Sequence, residues 1–151
     1  MPYQSRLFVK TGVVYLVLTF AMGAVLLTLS SAGVHVPFII EVEHGHLGFV
    51  GWLVNMVIGV ALWMFPLDRA RYADMQGRYP ARAPLLCYYL LNVGLAVRVV
   101  VEPWQQLGQL KGPSVWLLGV AGLMQLGAII IFVAVVWYRT RGPSRPAPGV
   151  H

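Results

Sequence analysis

Apolar residues fall in four long blocks that are separated by short polar stretches. The blocks cover residues 7–29, 47–65, 85–101 and 115–137. An α-helix needs about 20 apolar residues to cross the hydrocarbon core of a bilayer, and only structures that satisfy every backbone hydrogen bond internally can do so. The pattern therefore predicts an all-α fold, with one domain of four transmembrane helices (1–138) and a disordered tail (139–151).

The composition supports this class. The chain has 151 residues, of which 58% are hydrophobic and only 11% charged, against about 25% charged in a typical soluble domain. The mean hydropathy is +0.72. The formal charge of +6 does not indicate nucleic-acid binding, because most of the cationic residues lie just outside the apolar blocks. The lipid bilayer is the expected partner.

The distribution of cationic residues predicts the orientation. Of the 11 Lys and Arg residues, Arg98 lies inside a block and Lys111 lies between the third and fourth blocks. Lys10 lies at the N-terminal edge of the first block, and the other eight lie before the first block, between the second and third, or after the fourth, so nine of the 11 fall on one side. Under the positive-inside rule both termini are cytoplasmic, and the other two connections face outward.

The first predicted outer connection and the start of the second block concentrate ionisable residues. Three of the four histidines and two of the five acidic residues fall within residues 35–46. They are His35, Glu41, Glu43, His44 and His46. Imidazole and carboxylate are ligands of zinc and copper, and imidazole also binds haem iron. We therefore predict a metal or cofactor site here; the alternative is that the histidines only sit at the headgroup level.

The spacing of His44 and His46 bears on how they act. Residues two apart point about 200° apart on a helix, so these two histidines would not share one metal ion. We expect one of them to face the bundle and the other to face the loop.

Arg98 is an unusual residue inside a predicted span. An arginine at the centre of a spanning helix costs roughly 2.5–3.5 kcal/mol on insertion scales, and less towards the ends, so it requires a partner. One interpretation is an ion pair with Glu102, four residues further on. The other is that Arg98 binds an anion, such as a haem propionate, through bidentate hydrogen bonds.

The second block carries a family resemblance. The run His44-Gly-His46-Leu-Gly-Phe-Val-Gly51-Trp52, with Gly59 and the closing Phe65-Pro66, resembles the second helix of the large subunit of haem–copper oxidases and nitric oxide reductases. The resemblance implies a membrane protein that binds haem b, in electron transfer or diatomic gas binding. It also implies a bacterial or archaeal plasma membrane.

The resemblance assigns residues as well. It implies that His46 is the axial haem ligand, although a shift of two residues selects His44. The second ligand would come from His44, His35, Met22, Met124 or another subunit. Arg98 would bind a haem propionate, and Trp52 would lie against the haem ring.

The chain also departs from that family. The large subunit has about a dozen helices, and the third and fourth spans here lack histidine. Oxygen reduction by this chain alone is therefore not expected, and whether it is an enzyme stays open. The expected protein partners are further copies of the chain, in a homo-oligomer, and a redox partner or a respiratory oxidase.

Two other functions fit the residues. A copper- or zinc-binding or oxidase-assembly protein would use the same His and Glu residues without haem, and an accessory subunit would use none of them. The glycines of the spans favour close helix packing over room for a cofactor. Asn55 and Gln125 are expected to form hydrogen bonds between helices.

Overall fold

A computed structural model describes residues 1–65, 80, 82–108, 112 and 114–137. Within these residues the chain forms four long helices. They are α1 (Tyr3–Ser31), α2 (Phe38–Met64), α3 (Arg82–Gln106) and α4 (Ser114–Trp137). All four are long and apolar enough to cross a membrane, which confirms the predicted all-α, four-helix membrane fold. The tail (139–151) lies outside the described residues, as does most of the connection before α3.

Consecutive helices run antiparallel. Gly23 of α1 lies against His44 of α2, whereas Gly12 lies against Met56. Asn55 of α2 exchanges hydrogen bonds with Asn92 of α3. We call the end of the bundle that carries residues 32–37 the upper end. The last turns of α3 reach this end beside the first turns of α2.

Small residues let the helix pairs approach closely. A Cβ at Gly51 would lie 2.7 Å from Tyr15 Cγ, and one at Gly94 would lie 2.9 Å from the Ala121 carbonyl oxygen. The Gly51 contact confirms the packing role predicted for the glycines of the second span, and Gly94 packs in the same way in α3. At Gly119 and Gly122 an added methyl group would meet nothing within 4 Å in the described part of the chain, so no contact within one chain supports the packing prediction at these two positions.

Helix α1 exceeds its predicted span by a few residues at each end, and α2 and α3 extend further beyond theirs. Helix α2 begins at Phe38 rather than at residue 47, directly after Pro37, whose fixed φ suits a helix start. Helix α3 continues to Gln106, past Pro103. Hydropathy detects only the apolar part of a helix, and both extensions carry charged residues. The acidic and histidine residues from Glu41 to His46 are therefore helical rather than part of a loop.

The middle of α2 is wider than a regular α-helix. Leu47–Val54 forms a π-helix, a rare conformation that occurs mostly as short insertions, often at functional sites. The Asn55 amide nitrogen donates to the Gly51 carbonyl at 2.8 Å and to the Val50 carbonyl at 3.2 Å. Asn55 thus satisfies carbonyls of the π-helix and, as predicted, bonds a second helix. Gln125 Nε2 is buried without a hydrogen-bond partner in the described residues. The predicted hydrogen bond from Gln125 to another helix is therefore not supported by this nitrogen.

Candidate metal centre

The first turns of α2 and the last turns of α3 place four ionisable residues at one level. Glu43 and His46 are three residues apart on α2, and Arg98 and Glu102 are four apart on α3, so each pair shares a helix face. Because α2 and α3 are antiparallel, the two faces meet at the upper end. A cluster forms from residues nearly 60 positions apart in the sequence.

Three of these residues carry potential metal ligands. One ligand atom from each of Glu43, His46 and Glu102 lies within 4.8 Å of the other two. His46 Nδ1 is 3.5 Å from Glu43 Oε2, a close approach that does not meet hydrogen-bond geometry. We call Glu43, His46 and Glu102 the triad.

Glu43 is the most shielded member of the triad. The residue is 1% exposed, and neither carboxylate oxygen has a hydrogen-bond partner among the described residues. Buried polar groups in proteins are almost always hydrogen-bonded, and a buried charge is costly unless it is paired or coordinates a metal. The carboxylate of Glu43 therefore needs a proton or a cation.

Arg98 is held by the third member of the triad. Its Nε donates to Glu102 Oε2 at 2.7 Å, which confirms the predicted i,i+4 ion pair. The side chains of Arg98 and Glu102 are 33% and 15% exposed. The alternative role of Arg98, binding an anion, stays a prediction that this pair does not exclude.

The two ring nitrogens of His46 differ in environment. Nδ1 is buried, faces Glu43 and has no hydrogen-bond partner in the described chain. Nε2 is not among the buried unpartnered atoms, and the side chain as a whole is 20% exposed. His46 can therefore offer either nitrogen to a ligand.

His44 points to a different helix. An added Cβ on Gly23 of α1 would lie 3.0 Å from His44 Cε1. The ring borders an open groove of about 430 Å³ that is otherwise lined by α1 residues. The prediction that His44 and His46 diverge is confirmed. The prediction that one of them faces the loop is wrong, because the His44 ring lies beside α1 and the His46 ring lies beside Glu43.

His35 and Glu41 lie apart from the triad. Both are exposed, and both line a cavity of about 320 Å³ beside the 32–37 connection. The structure therefore divides the predicted set: Glu43 and His46 come together, whereas His35, Glu41 and His44 do not join them. Trp52 is half-buried within the π-helix.

Glu102 is the ligand candidate that the sequence analysis missed. Its sequence neighbour Arg98 already accounted for its charge, and nothing in one sequence fixes the register of α3 against α2. One feature of the sequence could have pointed to it. Glu102 and residues 41–46 both lie next to the predicted outer connections, and therefore at a similar depth in the membrane.

Comparisons with known proteins give no relative. No family model matches the chain, and neither a curated protein nor a solved structure is detectably similar to it. The resemblance to the haem–copper oxidase large subunit therefore stands on its own residues alone.

The donor set defines the chemistry available. One imidazole nitrogen and two carboxylates suit borderline cations such as Zn²⁺ and Cu²⁺. Tetrahedral bonds of about 2.1 Å place ligand atoms ~3.4 Å apart, so the triad would have to close by about 1 Å around an ion. Side-chain rotation can supply that movement.

Proposed function

We propose that this chain is a membrane metalloprotein that binds a divalent transition-metal cation, Zn²⁺ or Cu²⁺, through Glu43, His46 and Glu102. The observation that carries the proposal is the buried carboxylate of Glu43, which receives no N–H or hydroxyl hydrogen bond from the described residues and instead lies beside the His46 ring and a second carboxylate, Glu102. A cation at this position would accept a ligand atom from the His46 ring and from both carboxylates, and it would remove the repulsion between Glu43 and Glu102.

A purely structural role for the triad explains the geometry less well. Two carboxylates that lie close together repel each other unless a proton or cation lies between them. Arg98 forms its direct ion pair with Glu102 and acts on Glu43 only at longer range. One guanidinium charge therefore faces two carboxylates. An accessory subunit without a ligand would be more stable with an apolar residue at this position.

Haem b remains the second candidate, favoured by one observation. Metal-ligating histidines commonly direct their other ring nitrogen at a carboxylate, which fixes the ring. His46 Nδ1 beside Glu43 has this arrangement and leaves Nε2 as the iron ligand. Glu43 would then orient the ligand rather than bind the metal, and Arg98 would face a propionate. Electron transfer or gas binding would follow from that cofactor.

The test is a metal and haem assay on the full-length protein in mild detergent. We expect stoichiometric zinc or copper that is lost in Glu43→Gln and in His46→Ala. The matched controls are Glu41→Gln, an exposed acid on the same helix, and His35→Ala, an exposed histidine outside the triad. Both controls should retain the metal.

Optical spectra of the same samples separate the candidates. A Soret band with reduced b-type bands that disappear in His46→Ala would replace the proposal with the haem function. Protein expressed with ample haem and metals that holds neither would contradict both functions. Retention of metal by Glu43→Gln with loss in His35→Ala would move the site to the exposed residues.

A further inference from the structure

Among the described residues, the triad provides three protein ligands. No fourth His, Cys, Asp or Glu among the described residues places a ligand atom within the group. Structural zinc sites are closed by four protein ligands, whereas sites with three keep one position for water or an exogenous ligand. A cation held by the triad would therefore have an open coordination position.

The charges around that position favour an anion. Glu43 and Glu102 carry two negative charges and Arg98 carries one positive charge, so a bound divalent cation leaves the group with an excess of one positive charge. Uncompensated charge is costly in a partly desolvated site. One small monoanion at the open position would bring the group to neutrality.

Arg98 has donors available for such an anion. A guanidinium group carries five N–H donors, and in the described chain Arg98 uses only its Nε, towards Glu102. The terminal nitrogens have no hydrogen bond to any described residue. Their planar arrangement suits hydrogen bonding to anions.

The site is also accessible to a small ion. Its position in the first turns of α2 lies roughly 12 Å from the start of a helix about 40 Å long, close to the headgroup boundary of a ~30 Å hydrocarbon core. The Arg98 side chain is one-third exposed. A small anion could reach the open position from the upper end without crossing the bilayer.

We infer that the metal of the triad keeps one exchangeable coordination position, which takes a small monoanion such as azide or a halide and holds it between the cation and the guanidinium of Arg98. This inference rests on the proposed metal site and adds its ligand class. An exchangeable coordination position distinguishes a metal centre that binds external ligands from a structural site closed by protein ligands.

Cobalt is the probe for the test, because Co²⁺ in a zinc-type site has visible d–d bands that report coordination. Full-length protein in detergent is loaded with Co²⁺ and titrated with sodium azide at fixed pH and ionic strength. We expect a saturable change of the bands. The affinity for azide should fall at least about tenfold in Arg98→Gln, the scale seen when groups supporting a metal ligand are removed. Arg82→Gln, an exposed arginine at the opposite end of α3, is the matched control.

Arg98→Lys covers the case in which Arg98→Gln no longer holds cobalt. Lysine keeps the charge without the planar donors, so cobalt binding should survive and azide affinity should fall to an intermediate value. Absence of cobalt binding in the unmodified protein would contradict the proposed metal site itself. Cobalt binding without a response to azide, or with the same azide affinity in unmodified and Arg98-substituted protein, would overturn this inference alone.

Discussion

At the scale of single residues, Glu43 presents a conflict between stability and function. Its side chain is as buried as the apolar core residues, yet it carries an ionisable group that has no hydrogen-bond partner by geometry in the described chain. Replacing buried ionic groups by apolar residues of similar volume is often neutral or stabilising, by about 1–4 kcal/mol. The burial of Glu43 is therefore expected to reduce the stability of the metal-free protein relative to a variant with leucine there.

We therefore expect Glu43→Leu to raise the thermal stability of the metal-free protein, because it removes the desolvated carboxylate. Zinc should raise the stability of the unmodified protein and leave Glu43→Leu unchanged, since binding to the folded state alone stabilises it. Thermal unfolding in detergent, with chelator and with zinc, measures both effects. Glu41→Leu is the control. A Glu43→Leu protein that is less stable than the unmodified one in chelator would contradict the argument.

The residue-level predictions from the sequence differ in outcome for a physical reason. The Arg98–Glu102 pair and the divergence of His44 and His46 depend only on positions within one helix, and both are confirmed. The contact between Glu43 and Glu102 depends on the register between two helices. Side-chain packing sets that register, and one sequence does not show how the side chains of two helices pack.

At the scale of elements, the π-helix of α2 separates the triad from the lower part of the same helix. Apolar periodicity does not distinguish eight residues of π-helix from α-helix, so the sequence predicts only a continuous span. Asn55 ends the π-helix and joins it to Asn92 through two amide hydrogen bonds of 3.2 and 3.1 Å. The asparagine pair is thus the polar tie between α2 and α3 below the triad.

Substitution of either asparagine by leucine should destabilise the bundle by about 0.6–2 kcal/mol, the range for hydrogen bonds between membrane helices. Asn55→Leu should cost more than Asn92→Leu, because Asn55 also satisfies two carbonyls of the π-helix. Unfolding measurements on the two single variants and the double variant give the coupling energy. Strictly additive costs would mean that the pair does not couple the helices.

Glycine in α3 and α4 offers a second test of element packing. Gly94→Ala should destabilise the contact by about 1–3 kcal/mol, because its methyl group would lie 2.9 Å from the Ala121 carbonyl oxygen. Gly122→Ala should be neutral or stabilising, since the position is open and alanine has the higher helix propensity. Equal effects in detergent unfolding would refute the close approach of α3 and α4.

At the scale of the whole molecule, the four-helix membrane class follows from the sequence because hydropathy and chain length determine it nearly alone. The orientation depends on a different property, the location of charges relative to the spans. Nine of the 11 Lys and Arg residues lie on the side predicted to be cytoplasmic, which is a strong bias under the positive-inside rule. The orientation also decides from which compartment the triad would receive the proposed metal.

Cysteine labelling in intact cells tests that orientation. Cys87 is buried and donates to the Ala128 carbonyl, so Cys87→Ser provides a background without a competing thiol. In that background, Val34→Cys, at an exposed position of the 32–37 connection, should react with a membrane-impermeant maleimide added outside. Pro2→Cys, before α1, should react only after permeabilisation.

The reverse pattern would place the triad at the cytoplasmic face, where the metal would come from a reducing compartment that favours Cu⁺. The carboxylate-rich triad is a poor match for that soft ion, so zinc would then be the expected metal.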